Sequence, residues 1–369
     1  MFGTRIELLR LFGIPIRLDL SWFVVVVLIA WSLATGLFPQ LEPHLASGTY
    51  WAMGVAGALG LFASVLVHEL SHAWVARRHA MPIDGITLFI FGGVAEMGGE
   101  PPSPKAEFRV AIAGPLVSIL IGGLVLSLAG GPPPLRGVLR YLGLINLVLA
   151  VFNLVPAFPL DGGRILRSVL WHWKQDLRWA TAIASRLGTG FSVLLMLFGG
   201  ARVLLGDFVG GMWSFLIGLF LRQASQSAYQ AVLVRKALEG EPVRRFMTSE
   251  PVTLPAGVTL DQAVERYFYR YHHKLFPVTD DARLVGCLST RELSRIPRDE
   301  WGRRTVGSVA VPCGPRNAIT PDSDALQALT LMRRSGEPRL LVVEDGRLAG
   351  VVTLKDVLEF FALKVELEP

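Results

Sequence analysis

Between Trp51 and Val67 the chain carries no charged residue, and that stretch runs directly into His68-Glu69-Leu70-Ser71-His72. An apolar run of this length predicts a membrane helix. Ionisable side chains inside such a helix cost roughly 2.5–3.5 kcal/mol each on insertion scales, so the fold must supply them with partners. Residues four apart share one helix face, which lets His68 and His72 hold a single metal ion. Glu69 lies beside that face, suited to proton transfer with a metal-bound water rather than to ligation. The plainer alternative is two histidines hydrogen-bonded to neighbouring helices around a polar patch.

The surrounding composition fits a membrane setting. Of 369 residues, 51% are hydrophobic, and the mean hydropathy is +0.46. Apolar stretches near 18–38, 51–76, 108–129, 137–155, 179–205 and 211–234 predict about six spans. Beyond Glu239 the chain becomes rich in Glu, Asp and Arg, as a soluble domain is. The net charge of +6 is carried largely beside the spans, by Arg5, Arg10, Arg77, Arg78, Arg164, Arg167 and Arg178 among others. No run of Lys or Arg interleaves with aromatics, so nucleic acid is not an expected partner. Two cysteines, Cys287 and Cys313, exclude a disulfide framework and fit a reducing compartment. The N-terminal segment reads as a positive prefix before an uncleaved first membrane helix.

Basic residues favour the cytoplasmic side. Alternate loops holding Arg77, Arg78 and Lys105, then Arg164, Arg167, Lys174 and Arg178, place both termini and the soluble tail in the cytoplasm. The expected location is a plasma membrane crossed many times. A helix from Trp51 to Ala76 is about 39 Å long, which sets His68 roughly 12 Å inward of the Arg77 end.

A catalytic zinc needs a third protein ligand and an open position. Asp161 is the best candidate, in Asn153-Leu154-Val155-Pro156-Ala157-Phe158-Pro159-Leu160-Asp161-Gly162-Gly163. Pro156 and Pro159 free backbone groups, which a membrane tolerates only around a protein-lined or wet cavity. Spacing alone leaves open a polar turn capped by the two glycines. The two segments together resemble the site-2 protease family of intramembrane zinc metalloproteases, through His68-Glu69-x-x-His72 and Asn153-x-x-Pro156 followed by Asp161-Gly162. Phe91-Gly92-Gly93-Val94-Ala95 and Ala113-Gly114-Pro115-Leu116 resemble further family segments. The resemblance covers about residues 1–230. It implies one zinc ion on His68, His72 and Asp161, Glu69 as general base and acid, and Asn153 near the reacting carbonyl. It further implies a membrane-anchored regulatory protein as substrate, such as a sigma-factor precursor or an anti-sigma factor. Ala80 stands where relatives often have Gly, at a turn.

Residues 83–97 read as strands rather than a span. Beside the active site, Ile90, Phe91, Gly92, Gly93 and Val94 could position an extended substrate by edge pairing. The tail holds an internal repeat, with Phe276-Pro277-Val278 and Leu284-Val285-Gly286 recurring 64 residues on as Leu340-Leu341-Val342 and Leu348-Ala349-Gly350. It resembles a pair of cystathionine-β-synthase-type (CBS) domains, which implies regulation, a homodimer and an adenine nucleotide near Thr353 and Asp356. Ser289 and Glu292 hold the equivalent places in the first copy. His272-His273 reads as surface or packing.

The expected fold is thus a polytopic α-helical membrane protein of about six spans, with a short membrane-associated β segment and a C-terminal α/β CBS pair. The division is 1–236 for the protease, 237–244 for a linker, and 245–300 and 301–369 for the CBS domains. The competing reading is a CBS-regulated transporter or channel. That fold expects inverted repeats and several polar spans, whereas the ionisable residues here converge on one place.

Overall fold

The computed structural model describes residues 5–97, 99–281, 283–312 and 314–367, so Cys313 lies outside the described residues. The chain forms two compact units, Met1–Gln230 and Ala231–Pro369.

In the first unit two strands, β1 (Arg5–Leu11) and β2 (Ile14–Asp19), precede any helix. The positive prefix expected from the sequence is therefore a β-hairpin. Asp19 then accepts a hydrogen bond from the Ser21 amide and starts α1 (Leu20–Ser32), which runs through a π-helical turn (Leu33–Leu37) into α2 (Phe38–Leu41). The zinc-motif helix is α3 (Ser47–Arg78), longer at both ends than the apolar run alone indicated. After β3 (Ile83–Phe89) and β4 (Gly92–Met97) come α4 (Pro104–Ser127) and α5 (Pro133–Asn153). The set closes with α6 (Asp161–Lys174), α7 (Leu177–Leu204) and α8 (Phe208–Leu238).

Among the described residues five segments are long and apolar enough to cross a membrane: Leu20–Leu41, α3, α4, α5 and α7. The stretch expected near 211–234 is helical, but Arg222 and Gln223 interrupt its apolar character, and α8 is not one of the five. Small residues bring the helices together, as at Gly54, where a side chain would strike the Ala30 carbonyl of α1.

The four strands form one sheet in the order β1-β2-β3-β4. β2 and β3 run parallel because α3 separates them, whereas β1–β2 and β3–β4 are antiparallel hairpins. Ile14, Ile16, Leu18, Ile86 and Leu88 bury one face of the sheet against Val65 and Ala73 of α3. That packing lays β4, an edge strand, alongside the zinc-motif helix. Segment 83–97 is therefore strand as expected, except that Ile90 and Phe91 form the two-residue turn between β3 and β4.

In the second unit, β5 (Leu254–Pro255), β6 (Leu275–Asp280) and β7 (Arg283–Ser289) make one three-stranded sheet. The repeat rebuilds it as β8 (Ala318–Ile319), β9 (Arg339–Glu344) and β10 (Arg347–Thr353). Each sheet packs on its own apolar cluster, around Leu254, Phe276 and Leu288 in one and Leu340, Val342 and Val352 in the other.

Candidate active site

His68 and His72 stand one turn apart on α3, and both are buried to 3% exposure. Asp161 is the first residue of α6, directly after the irregular segment that the two prolines force. Its Oδ2 lies 3.1 Å from His68 Nε2 and 3.2 Å from His72 Nε2, and the two Nε2 atoms are 3.1 Å apart. Three lone-pair atoms so close together inside a protein repel one another unless a cation or a proton lies between them.

The far side of each imidazole is fixed. His72 Nδ1 is 2.7 Å from the Val110 carbonyl, which can only accept, so Nδ1 carries the proton and Nε2 turns its lone pair inward. His68 Nδ1 meets Ser118 Oγ at 2.9 Å. Outer partners of this kind orient metal-binding histidines in known sites. A tetrahedral zinc with bonds of about 2.0–2.1 Å separates its ligand atoms by about 3.3–3.4 Å, close to the observed triangle. The donor set of two imidazoles and one carboxylate, with a fourth direction open, therefore fits zinc. Among the described residues, this is the one group of three or more His, Cys, Asp or Glu side chains placed to hold a metal ion.

Val110, Gly114 and Ser118 follow at four-residue intervals on α4, so one face of that helix supports both histidines. A side chain at Gly114 would come within 2.2 Å of His72 Nε2 and 2.5 Å of His68 Nε2, so only glycine lets α4 pass here. Sequence reading picked out the segment around Gly114 but missed the supporting roles of Val110 and Ser118. The i, i+4, i+8 spacing was the available signal.

A cavity of about 550 Å³ opens from the three donors. Glu69, Asn153 and all five residues from Ile90 to Val94 line it, as does Arg164, one turn beyond Asp161 on α6. Gly93 of β4 faces Glu69 so closely that an added Cβ would meet Glu69 Cγ at 2.7 Å. The Ile90 amide is already committed to Ser21 Oγ at 3.2 Å. Gly92, Gly93 and Val94 belong to the edge strand β4, and Ile90 and Phe91 to the turn before it. Behind the site, Arg167 of α6 bonds Glu107 of α4, both side chains nearly inaccessible. This ion pair ties the helix carrying Asp161 to the helix that supports the histidines.

In the second unit Thr353 and Asp356 bond each other across a helix start, Thr353 N to Asp356 Oδ2 at 2.8 Å and Asp356 N to Thr353 Oγ1 at 3.2 Å. A cleft of about 450 Å³ lies instead beside their first-copy equivalents, lined by Ser289, Glu292, Arg316, Asn317 and Arg339. His272 and His273 are exposed, and His273 stacks near Tyr271.

Two buried histidines on a helix long and apolar enough to span a membrane, joined by an aspartate from α6 with a glutamate beside them, are the arrangement of an intramembrane metalloprotease. Comparison with known proteins gives the family. The model of peptidase family M50 matches residues 56–131 and 134–197, and that of the CBS domain matches 243–299 and 314–363. The chain is 35% identical to the Rip3 protein of Mycobacterium tuberculosis, over 95% of this chain and 91% of that one. It is 31% identical to zinc metalloprotease MJ0392 of Methanocaldococcus jannaschii, over 97% and 96%. Among solved structures, a site-2 protease from Methanocaldococcus jannaschii aligns with TM-score 0.44 and 33% identity, covering 61% of this chain and 95% of that one. The chain belongs to peptidase family M50, the site-2 protease type. It is a multi-pass zinc metalloendopeptidase with a C-terminal CBS pair.

Proposed function

We propose that His68, His72 and Asp161 bind one zinc ion, with Glu69 as general base and acid and Asn153 at the reacting carbonyl. The observation that carries this reading is the convergence of three buried donor atoms 3.1–3.2 Å apart at the end of a cavity lined by Glu69 and Asn153. Zinc, when bound, acidifies a water and polarises a peptide carbonyl. Glu69 would serve as the base that takes a proton from the attacking water and as the acid that returns it to the departing amine. Asn153 offers amide N–H donors to the carbonyl oxygen as negative charge grows there. The apolar remainder of the cavity limits bulk water, so each of these interactions acts in a low dielectric.

The substrate is a membrane-anchored regulatory protein, cut in or near its spanning segment close to the cytoplasmic face. A peptide bond inside a helix is shielded, so the substrate must first extend. Gly92, Gly93 and Val94 at the free edge of β4 receive that extended stretch by main-chain pairing, with Ile90 and Phe91 flanking it. The CBS pair and both termini face the cytoplasm. There the pair regulates proteolysis, binds an adenine nucleotide at Thr353 and Asp356 or at the equivalent Ser289 and Glu292, and joins two chains as a homodimer.

The test is zinc content alongside cleavage in purified protein. Glu69→Gln is expected to lower cleavage by roughly 10²–10⁴-fold while keeping about one zinc per chain. Asp161→Asn, His68→Ala and His72→Ala are expected to lose the metal. Loss of zinc from Glu69→Gln would make Glu69 a ligand, and full zinc in Asp161→Asn would place the third ligand elsewhere.

A further inference from the structure

The sheet beside the active site is wider than the helix surface that covers it. Its central strands bury Ile14, Ile16, Leu18, Ile86 and Leu88 to 4% exposure or less. β1 continues the same face, with Ile6 opposite Leu18, Leu9 opposite Ile16 and Leu11 opposite Ile14. A bulge between Glu7 and Leu9 keeps Ile6 and Leu9 on one face although they are three residues apart. Yet Ile6 is 51% and Leu9 40% exposed, whereas Leu11, near the turn, packs against the buried cluster. The other face of the hairpin is charged. There Glu7 pairs opposite Arg17 and bonds Arg10, while Arg17 and Arg5 both bond Glu96.

The turn of this hairpin carries a second anomaly. Phe12 and Gly13 both have left-handed backbones, with φ of 51° and 78°. A two-residue turn of that kind favours Asn, Asp or Gly at its first position. Here the position holds a phenylalanine that is 84% exposed.

Both ends of the hairpin are tied to one side of the membrane. At one end β2 passes directly into α1, whose first turns expose Leu20, Phe23 and Val24. At the other, Arg77 at the close of α3 donates to the Phe12 carbonyl at 2.6 Å. Consecutive spans run in opposite directions, so the start of α1 and the end of α3 lie at the same surface. Beside Arg77, the Arg78 guanidinium sits 4.1 Å above the ring of Trp74, itself 61% exposed, and this is the arrangement expected at headgroup level. The hairpin is thus strung along the interface, with an uncovered apolar face on one side and ion pairs on the other.

We propose that the β1–β2 hairpin lies in the bilayer interface, with Ile6, Leu9 and Phe12 among the lipid chains and Glu7, Arg10 and Arg17 turned to water. The occupant of the apolar face is lipid, because β2 runs without a break into α1, whose exposed Leu20, Phe23 and Val24 begin a segment long and apolar enough to cross a membrane. β2 is bonded to β3 and β3 to β4, so lipid contact at β1 also sets the level of the strand beside Glu69.

The experiment uses full-length protein in lipid nanodiscs, with Cys287 and Cys313 replaced by alanine and one nitroxide label attached at a time. Labels go on Phe12→Cys and Leu9→Cys, with Glu7→Cys as the reference on the charged face. Saturation by oxygen and by a water-soluble nickel chelate then reads the surroundings of each label. Labels at 12 and 9 are expected to show an oxygen-to-nickel accessibility ratio severalfold above that at 7. Equal ratios at all three positions would place the hairpin in water and overturn the proposal. Shielding of 12 and 9 from both reagents, with spin–spin broadening that vanishes on dilution by unlabelled protein, would overturn it in favour of a second copy of the chain.

Discussion

Replacing Gly114 with alanine adds one methyl group at the point where α4 passes the two histidines. The new Cβ would lie 2.2 Å from His72 Nε2 and 2.5 Å from His68 Nε2, so the contact must open by about 1 Å to reach the 3.4 Å of ordinary contact. Metal–ligand distances tolerate only about 0.2 Å. The imidazoles cannot turn aside alone, since their Nδ1 atoms are held by Val110 and Ser118 of the same α4. If α4 moves away instead, both supports leave together. Loss of one outer partner costs about 10–100-fold in metal affinity, so we expect Gly114→Ala to weaken zinc binding at least about 100-fold, or about 2.7 kcal/mol. Gly123→Ala is the control on the same helix, where an added Cβ has nothing within 4 Å. It should bind zinc as the parent does and, if anything, gain stability from better helix propensity. Zinc content after gel filtration and competition with a chelator give the affinity, and melting curves confirm that both variants fold. Parental zinc affinity in Gly114→Ala would refute the reasoning, because the triangle of donors could not then depend on the approach of α4.

Val94→Pro should abolish cleavage while keeping zinc, with partial rescue by substrates carrying Gly or Pro near the cleaved bond. Ile90→Pro removes the amide bond to Ser21 Oγ and should cost about 1 kcal/mol of stability or more, with cleavage largely kept. Parental cleavage by Val94→Pro would remove the edge-pairing idea. In the second unit, hydrogen bonds from Lys364 and then Arg245 hold the Glu241 carboxyl below its usual pKa. A depressed carboxyl stabilises the fold above its unfolded pKa of about 4.3, and that contribution fades as pH falls through the lower folded value. Glu241→Gln should therefore lower the melting temperature at pH 7, and the deficit should shrink as the pH drops below about 4. Calorimetry of the whole protein with ATP, ADP and AMP should show binding by at least one of them, and absence of heat at millimolar ligand would leave the CBS pair a structural role.

Much of this molecule was legible in the chain itself. The metal helix was visible because charge-free residues end in two histidines at helical spacing, a pattern that needs no tertiary information. The irregular approach to Asp161 was visible because two prolines cannot continue a helix. The CBS pair was visible because its second copy repeats the first. What the sequence left open depends on contacts between distant segments. Spacing alone did not choose between Asp161 as a ligand and as part of a polar turn; the structure sets its carboxylate within 3.2 Å of both imidazoles, across about ninety residues of chain. The N-terminal hairpin had no clear local signal, because Phe12-Gly13 is not a standard turn signal and because Ile6 and Leu9 of β1 stay exposed. The strand reading of 83–97 ran through Ile90 and Phe91, since local β propensity continues there and only pairing of Phe89 with Gly92 marks the turn. Local patterns report what a segment can become, whereas the supports of the histidines and the edge beside Glu69 exist only once α3, α4, α6 and the sheet are packed together.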